Sequence, residues 1–174
     1  GKGLKNPADS NHGLDLDAMA LKVANEYSDY KKKQKAVGNL DYAKLPCVNH
    51  PIFKGKDINY DPREVFVNDL FKGKGINNVF LDFYHSLVNA LFKAKVSKNV
   101  YCVNIDAVIA VILLKIVWAD FSEGKLKEED IESASFATFL FGRMIGCAAE
   151  IDDHTSRGKN MDTRTPASKC SYVG

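Results

Sequence analysis

Apolar residues at helical spacing are the feature of this chain that most constrains its fold. Between Val79 and Lys95 they form one continuous face, made of Val79, Phe80, Phe83, Leu87, Val88, Leu91 and Phe92. This spacing predicts an amphipathic helix that buries the apolar face. A second apolar run, from Ala107 to Trp118, contains Lys115 and is too short to span a bilayer. It predicts a helix from about Ile105 to Trp118, buried on most sides.

Three more helices are predicted from their start and stop signals. The first runs from Leu14 to about Lys33, a short one from about Arg63 to Phe71, and a long one from 127–130 to about Asp153. Prolines and a glycine make residues 46–62 a loop, and residues 96–104 form a short link. Strand signals are scarce, so we expect an all-α protein with little or no sheet.

The composition is that of an ordinary soluble globular protein. The 174 residues carry a net charge of +2, which by itself indicates neither a nucleic-acid partner nor a membrane surface. Cys47, Cys102, Cys147 and Cys170 contain no CxxC pair, so we expect free thiols, with those in apolar segments buried, and no zinc site. The run Lys31–Lys33 is interpreted as a solvated helix end, with phosphate binding as the alternative.

Three polar blocks carry the residues suited to chemistry. The first block, residues 49–54, contains His50 and leads into Asp61-Pro62-Arg63. The second, residues 104–106, places Asp106 at the start of an apolar run. The third holds Arg143 inside an apolar predicted helix. An arginine among core positions favours a buried anion as its partner. A histidine, a carboxylate and two arginines held by apolar segments suit a small polycarboxylate substrate.

Read in order, these blocks resemble the C-terminal half of the citrate synthase superfamily. The matching positions run from Asn11-His12-Gly13, through His50, Asp61-Pro62-Arg63, Asn104-Ile105-Asp106 and Gly142-Arg143, to Arg164 near the end. Within that superfamily the long stretch before Arg143 and the Ser171-Tyr172-Val173 ending are more similar to the citryl-CoA lyase module of ATP-citrate lyase. The resemblance implies a citrate-synthase-like helical fold, with residues 1–174 as a single domain that lacks its N-terminal part.

The resemblance also implies roles for particular residues. Asp106 would exchange the methyl proton of acetyl-CoA, His12 would hydrogen-bond the thioester oxygen, and His50 would contact the oxaloacetate carbonyl, which is the citryl hydroxyl in cleavage. Arg63, Arg143 and Arg164 would bind substrate carboxylates, which a two-pronged guanidinium suits. Coenzyme A, as a thioester substrate, would lie against the loop that holds Asn49, with Lys54 near its phosphates. No metal is required.

Each role has a structural alternative. His12 could be a surface or capping residue, His50 a structural loop residue, and Asp106 the cap of the helix that follows it. The chain also departs from the family pattern, because Cys47-Val48-Asn49 replaces the glycine pair that precedes the catalytic histidine, and Pro51 and Glu150 replace an arginine and a histidine. These changes affect coenzyme A binding more than the carboxylate site.

The expected function is therefore cleavage of citryl-CoA to acetyl-CoA and oxaloacetate. The alternatives are citrate synthase, which runs the condensation, and a diverged scaffold member of the family without activity. The resemblance implies a homodimer or higher homo-oligomer and a cytoplasmic location, or the mitochondrial matrix for a eukaryotic synthase. Neither nucleic acid nor membrane is expected as a partner.

Overall fold

The computed structural model describes residues 13–156, and within this range the long regular elements are all helices. The five helices are α1 (Leu16–Ala36), α2 (Pro62–Gly73), α3 (Val79–Lys93), α4 (Ile105–Ser122) and α5 (Glu128–Ser156). The all-α prediction is confirmed, and each predicted helix is present with ends that differ by a few residues. His12, Arg164 and Cys170 lie outside the described residues.

Each of the first four helices begins at a side chain that accepts the free backbone N–H groups of its first turn. Asp15, Asp61, Asn78 and Asn104 are these N-caps. Asn78 also donates its Nδ2 to the Val111 carbonyl at 3.1 Å, and it is only 4% exposed. This one residue therefore starts α3 and joins that start to the middle of α4.

The core consists of two neighbouring clusters that share α3. In one, Ala20 and Ala24 of α1 are fully buried against Leu87, Ala90 and Leu91 of α3. Alanine at both α1 positions lets the two helices approach closely. In the other, Leu81 and Val88 of α3 pack against Val103, which precedes α4. The α4 residues in this cluster are Ala107, Val108 and Val111. Burying a side chain such as Leu81 stabilises the fold by about 1.5–3 kcal/mol.

Burial on α4 is narrower than its uniformly apolar sequence predicts. Ala107, Val108 and Val111 are buried, whereas Ile116, on the second half of the helix, is 71% exposed. Lys115 donates from Nζ to the Asn77 carbonyl at 2.8 Å. The prediction of burial on most sides is therefore right only for the first turns of α4.

Short backbone bridges replace a sheet in the segments between helices. Val48 pairs with Val103 in antiparallel fashion, and Ile58 pairs with Val100 in parallel fashion. Their hydrogen bonds join the loop before α2 to the link before α4. Two stretches of chain far apart in sequence are thereby fixed side by side at the start of α4.

Contacts divide the chain into two compact units, one up to Ser135 and one from Phe136 onward. The helix α5 begins in the first unit and continues into the second. Among residues 13–156, α5 alone is long and apolar enough to cross a membrane by length and composition, a test that core helices of soluble proteins also pass. In the second unit Phe141, Met144 and Ile145 are 66%, 60% and 57% exposed.

Candidate active site

Asp106 lies in the first turn of α4 and is not the cap of that helix. The cap is Asn104, whose Oδ1 accepts the Asp106 backbone N–H at 3.3 Å. Asp106 Oδ1 is buried and has no hydrogen-bond partner within the described residues. The positive end of the helix dipole favours a carboxylate here, yet a buried acceptor without a donor costs free energy. Such an atom is a candidate for contact with a ligand.

The loop before His50 is held against the segment that leads to Asp106. The Asn49 N–H donates to the Cys102 carbonyl at 2.8 Å, and the Asn104 N–H donates to the Cys47 carbonyl at 2.9 Å. These two bonds flank the Val48–Val103 pair. The antiparallel register places His50 and Asp106 toward opposite ends of that pair, so the pair does not by itself bring the two side chains together.

Cys47 and Asn49 both have left-handed backbone conformations, with φ of 63° and 68°. Asparagine tolerates this region, but an ordinary L-residue such as cysteine is strained there by about 1–2 kcal/mol. These are the two positions at which the sequence pattern replaces the glycines of the resembled family. The loop therefore has a glycine-like backbone path without having the glycines.

One ring nitrogen of His50 accepts hydrogen bonds from the backbone of its own loop. Its Nδ1 accepts the backbone N–H groups of Ile52 at 3.2 Å and Phe53 at 3.4 Å. Because Nδ1 acts as an acceptor, the proton of the neutral ring lies on Nε2. His50 is thus both a structural loop residue and a side chain able to donate from Nε2.

Phe53 connects His50 to Arg63. The His50 and Phe53 rings stack at 4.6 Å between centroids, and the Arg63 guanidinium carbon lies 5.7 Å from the Phe53 centroid. Arg63 in turn forms a two-bond ion pair with Asp61, whose Oδ2 also accepts the Ile105 N–H at 3.3 Å. A continuous series of contacts therefore runs from His50 through Arg63 to the start of α4, next to Asp106.

Asp61 is fully buried, and its charge is balanced by these donors. Burial by itself raises the pKa of a carboxyl group, but hydrogen bonds from the Arg63 side chain and backbone and from Ile105 outweigh it, so the Asp61 pKa lies below its ordinary 3.8. The prediction that Arg63 binds a substrate carboxylate remains a prediction, because the guanidinium already binds Asp61 in this structure.

A tyrosine that sequence reasoning missed joins the site next to Asp106. The Tyr84 hydroxyl is hydrogen-bonded to the Cys47 thiol, and burial is the main reason that the Tyr84 pKa rises to about 12. Burial, followed by the Asp106 carboxylate, also raises the Cys47 pKa. Both groups therefore stay protonated at neutral pH. The only sequence signal for Tyr84 was its place on the helix that packs beside α4.

The remaining predicted site residues are dispersed. Asn49 is half-buried in the loop, while Lys54 is exposed. Arg143 belongs to the second unit, where it is exposed and lies over the Phe139 ring with Cζ 5.0 Å from the centroid. The expectation that Arg143 is buried and needs an anionic partner is therefore wrong for this structure. Cys147, expected in an apolar core, is exposed as well.

Residues 13–156 contain no group of three or more His, Cys, Asp or Glu side chains arranged to hold a metal ion. Comparison of the chain with protein-family models, curated proteins and solved structures gives no significant match. The function must therefore be argued from the residues and their geometry.

Proposed function

We propose that the chain cleaves citryl-CoA to acetyl-CoA and oxaloacetate, with Asp106 as the acid–base group. The observation that supports this most strongly is the buried Oδ1 of Asp106, which has no hydrogen-bond partner within the described residues. A carboxylate oxygen that is removed from water and accepts no hydrogen bond from residues 13–156 is free to meet a substrate proton. The bond to be broken joins the acetyl methyl carbon to the former carbonyl carbon of oxaloacetate.

In this proposal Asp106 delivers its proton to the methyl carbon as the carbon–carbon bond breaks, and removes it in the reverse direction. The carbanion forms next to a thioester and must be held as an enolate or enol. His12 would donate to the thioester oxygen, a role that lies outside the described residues. His50 would accept the citryl hydroxyl proton at Nε2 as that oxygen becomes the oxaloacetate carbonyl.

The loop geometry supports binding of coenzyme A as a thioester substrate. The left-handed backbone at Cys47 and Asn49 keeps the path that glycines would give in the resembled family. Asn49 is half-buried on this loop and is the better-placed of the two predicted contacts, because Lys54 is exposed. The carboxylates of the substrate would be bound by Arg63, whose guanidinium also pairs with Asp61, and by Arg164, which lies outside the described residues.

The tautomer of His50 favours citrate synthase as a second candidate. With Nδ1 accepting two backbone N–H groups, the neutral ring carries its proton on Nε2. A ring in that state donates to the carbonyl oxygen of oxaloacetate, which is the polarisation that condensation needs. Cleavage would have to begin from a ring without the Nε2 proton.

Exposed apolar side chains on α5 support the proposal of a homodimer. Phe136, Phe141 and Met144 are 67%, 66% and 60% exposed in the second unit. Exposed large apolar side chains in such number are typical of surfaces that pack against another chain. Light scattering of the full chain tests this: a monomer at micromolar concentration would contradict it.

Replacement of Asp106 by asparagine tests the chemical proposal. We expect Asp106→Asn to abolish both citryl-CoA cleavage and the exchange of acetyl-CoA methyl protons into heavy water, while the far-ultraviolet circular dichroism is unchanged. Asp82→Asn is the matched control, because Asp82 is an exposed carboxylate in the first turn of α3. Activity that survives in Asp106→Asn would show that the proton-transfer role is wrong.

A coenzyme A titration separates the enzyme from a scaffold. The enzyme proposal requires saturable binding of coenzyme A by the full chain, measured by calorimetry. Absence of binding together with intact oligomerisation would favour the diverged scaffold.

A further inference from the structure

A cleft in the first unit combines aromatic and basic side chains. It has a volume of about 210 Å³ and lies between α1, residues 42–49 and the segment that follows α3. Its polar and aromatic lining is Tyr27, Lys31, Tyr42, Lys44, Asn49 and Tyr101, above a floor of leucine and valine. The lining contains two ammonium groups and, among the residues described, no carboxylate. Its net charge is therefore positive, which disfavours a cationic ligand.

One wall of the cleft is fixed onto α1 by tyrosine hydroxyls. The Leu45 backbone N–H donates to the Tyr27 hydroxyl, and the Ala43 backbone N–H donates to the Tyr30 hydroxyl at 3.2 Å. The Tyr30 ring meets the Tyr42 ring edge-on at 6.3 Å. These contacts fix residues 42–45 against α1, so this wall of the cleft is in place before any ligand binds.

Lys31 points across the cleft and is not a solvated helix end. Its Nζ donates to the Val96 carbonyl at 3.1 Å, a contact that uses one of its three N–H donors. Neither Lys31 nor Lys44 pairs with a carboxylate within residues 13–156. Lys32, the next residue, behaves as predicted for a solvated end, because it pairs with Asp29 at 3.2 Å and is 74% exposed.

We propose that this cleft binds a nucleoside phosphate, with the base against the tyrosine rings and the phosphate at Lys31 and Lys44. Tyrosine faces suit a planar base, and ammonium groups suit phosphate oxygens. The volume is below the range of about 300–1,000 Å³ for sites that enclose a drug-sized ligand, so the cleft takes one ring system with its nearest phosphate.

Two sources share this chemistry: a free nucleotide, and the nucleotide end of coenzyme A. The second source rests on the proposed function, whereas the first does not. Asn49 lines the cleft and also belongs to the loop next to Asp106, so a thioester bound here could extend toward the candidate active site.

Calorimetry with the full chain tests the proposal, with AMP, coenzyme A and orthophosphate as separate probes. We expect Lys31→Gln and Lys44→Gln each to weaken AMP binding by about tenfold or more, the value of a hydrogen bond to a charged group. Lys32→Gln is the matched control and should bind as the parent does. Lys31→Arg should restore much of the affinity. Lys44 is exposed, so Lys44→Gln tests the site even if loss of the Lys31–Val96 contact harms folding.

The outcomes separate the two sources. Competition between AMP and coenzyme A, with both weakened by Lys44→Gln, supports the nucleotide end of coenzyme A. Binding of AMP without competition from coenzyme A supports a free nucleotide. The proposal is overturned if AMP and coenzyme A both fail to bind, if orthophosphate binds as tightly as AMP, or if neither lysine variant changes the affinity. Asp106→Asn should still bind AMP, so failure of the catalytic proposal is distinguishable from failure of this one.

Discussion

The Asp61 carboxylate receives two parallel hydrogen bonds from Arg63, Nε to Oδ1 at 2.9 Å and Nη2 to Oδ2 at 2.7 Å, although Arg63 follows it by only two residues. Asp61 is 0% exposed, whereas the Arg63 side chain is 30% exposed. The same carboxylate caps α2 and accepts the Ile105 N–H at the start of α4. One buried charge thus orients two helix starts and a candidate substrate-binding arginine.

We therefore expect Asp61→Ala to be strongly destabilising. Removing one partner of a buried pair costs roughly 3 kcal/mol or more, and here it also deprives Ile105 of its acceptor. Urea denaturation measures the change in the free energy of unfolding. Asp57→Ala, at an exposed carboxylate in the preceding loop, is the control and should change stability little. A loss below about 1 kcal/mol at Asp61 would contradict this account.

Asp61 also predicts a pH dependence of stability. Its folded-state pKa lies below the ordinary 3.8, so its contribution is fully present above that value and is lost as the pH falls through the lowered folded-state pKa. Urea denaturation between neutral pH and the acid transition should show this loss in the parent. The Asp61→Asn variant should show a correspondingly smaller loss, and an equal loss in both would assign the acid sensitivity to other groups.

The left-handed backbone at Cys47 predicts a reversal of the usual order of alanine and glycine. Cys47→Ala and Cys47→Gly both remove the thiol, but alanine keeps the strain at φ 63° while glycine relieves it. We expect the glycine variant to be the more stable by about 1 kcal/mol in urea denaturation. At Ala94, where φ is −77°, replacement by glycine should destabilise. Alanine above glycine at position 47 would mean that the loop relaxes.

Thiol reactivity provides a second test of the site next to Asp106. Cys147 is exposed and should react with iodoacetamide before Cys47 and Cys102. Cys47 and Cys102 should react slowly at neutral pH and faster as the pH rises, because burial raises both pKa values, that of Cys102 to about 11. Peptide mass spectrometry of a labelling time course reads each site separately.

Two substitutions refine this thiol prediction. The Asp106 carboxylate raises the Cys47 pKa and the Tyr84 hydrogen bond lowers it. Asp106→Asn should therefore accelerate labelling of Cys47, and Tyr84→Phe should slow it, with Cys147 as the internal reference. If both variants label Cys47 at the parental rate, the three side chains do not form one electrostatic group.

Glu64 of α2 and His85 of α3 form a further contact, which is buried on the Glu64 side. Glu64 is 4% exposed, and its Oε1 lies 3.0 Å from His85 Nε2. His85→Leu should destabilise the fold by about 1 kcal/mol, because it removes the imidazole that lies against the buried Glu64 carboxylate. A double-mutant cycle with Glu64→Gln measures the coupling. A coupling near zero would show that the imidazole contributes packing only.

Local pattern predicts the helices well, because apolar spacing and caps are read over a few residues. The position of Asp106 at a helix start follows from the sequence for the same reason. The sequence does not show that Asp106 is not the cap, because either Asn104 or Asp106 could cap the helix. The pairing of Asp61 with Arg63 and the tautomer of His50 depend on side-chain geometry that residue types alone do not specify.

Exposure and long-range neighbours are the parts that the sequence predicts least well. Arg143 and Cys147 lie in an apolar stretch, yet both are exposed in the structure, because an apolar pattern indicates a face and not what covers it. Lys31 and Lys32 are neighbours in one lysine run, but helical geometry points them in different directions. Only Lys31 reaches Val96, 65 positions away.

The loop at Cys47 and Asn49 shows that a backbone conformation can be kept without the amino acids that usually adopt it. The left-handed backbone conformation at positions 47 and 49 is adopted by a cysteine and an asparagine. A sequence search for a glycine motif would miss this segment, whereas a structural search by backbone torsion angles would find it. Distant members of a family with this loop are therefore better sought by the sign of φ than by amino-acid identity.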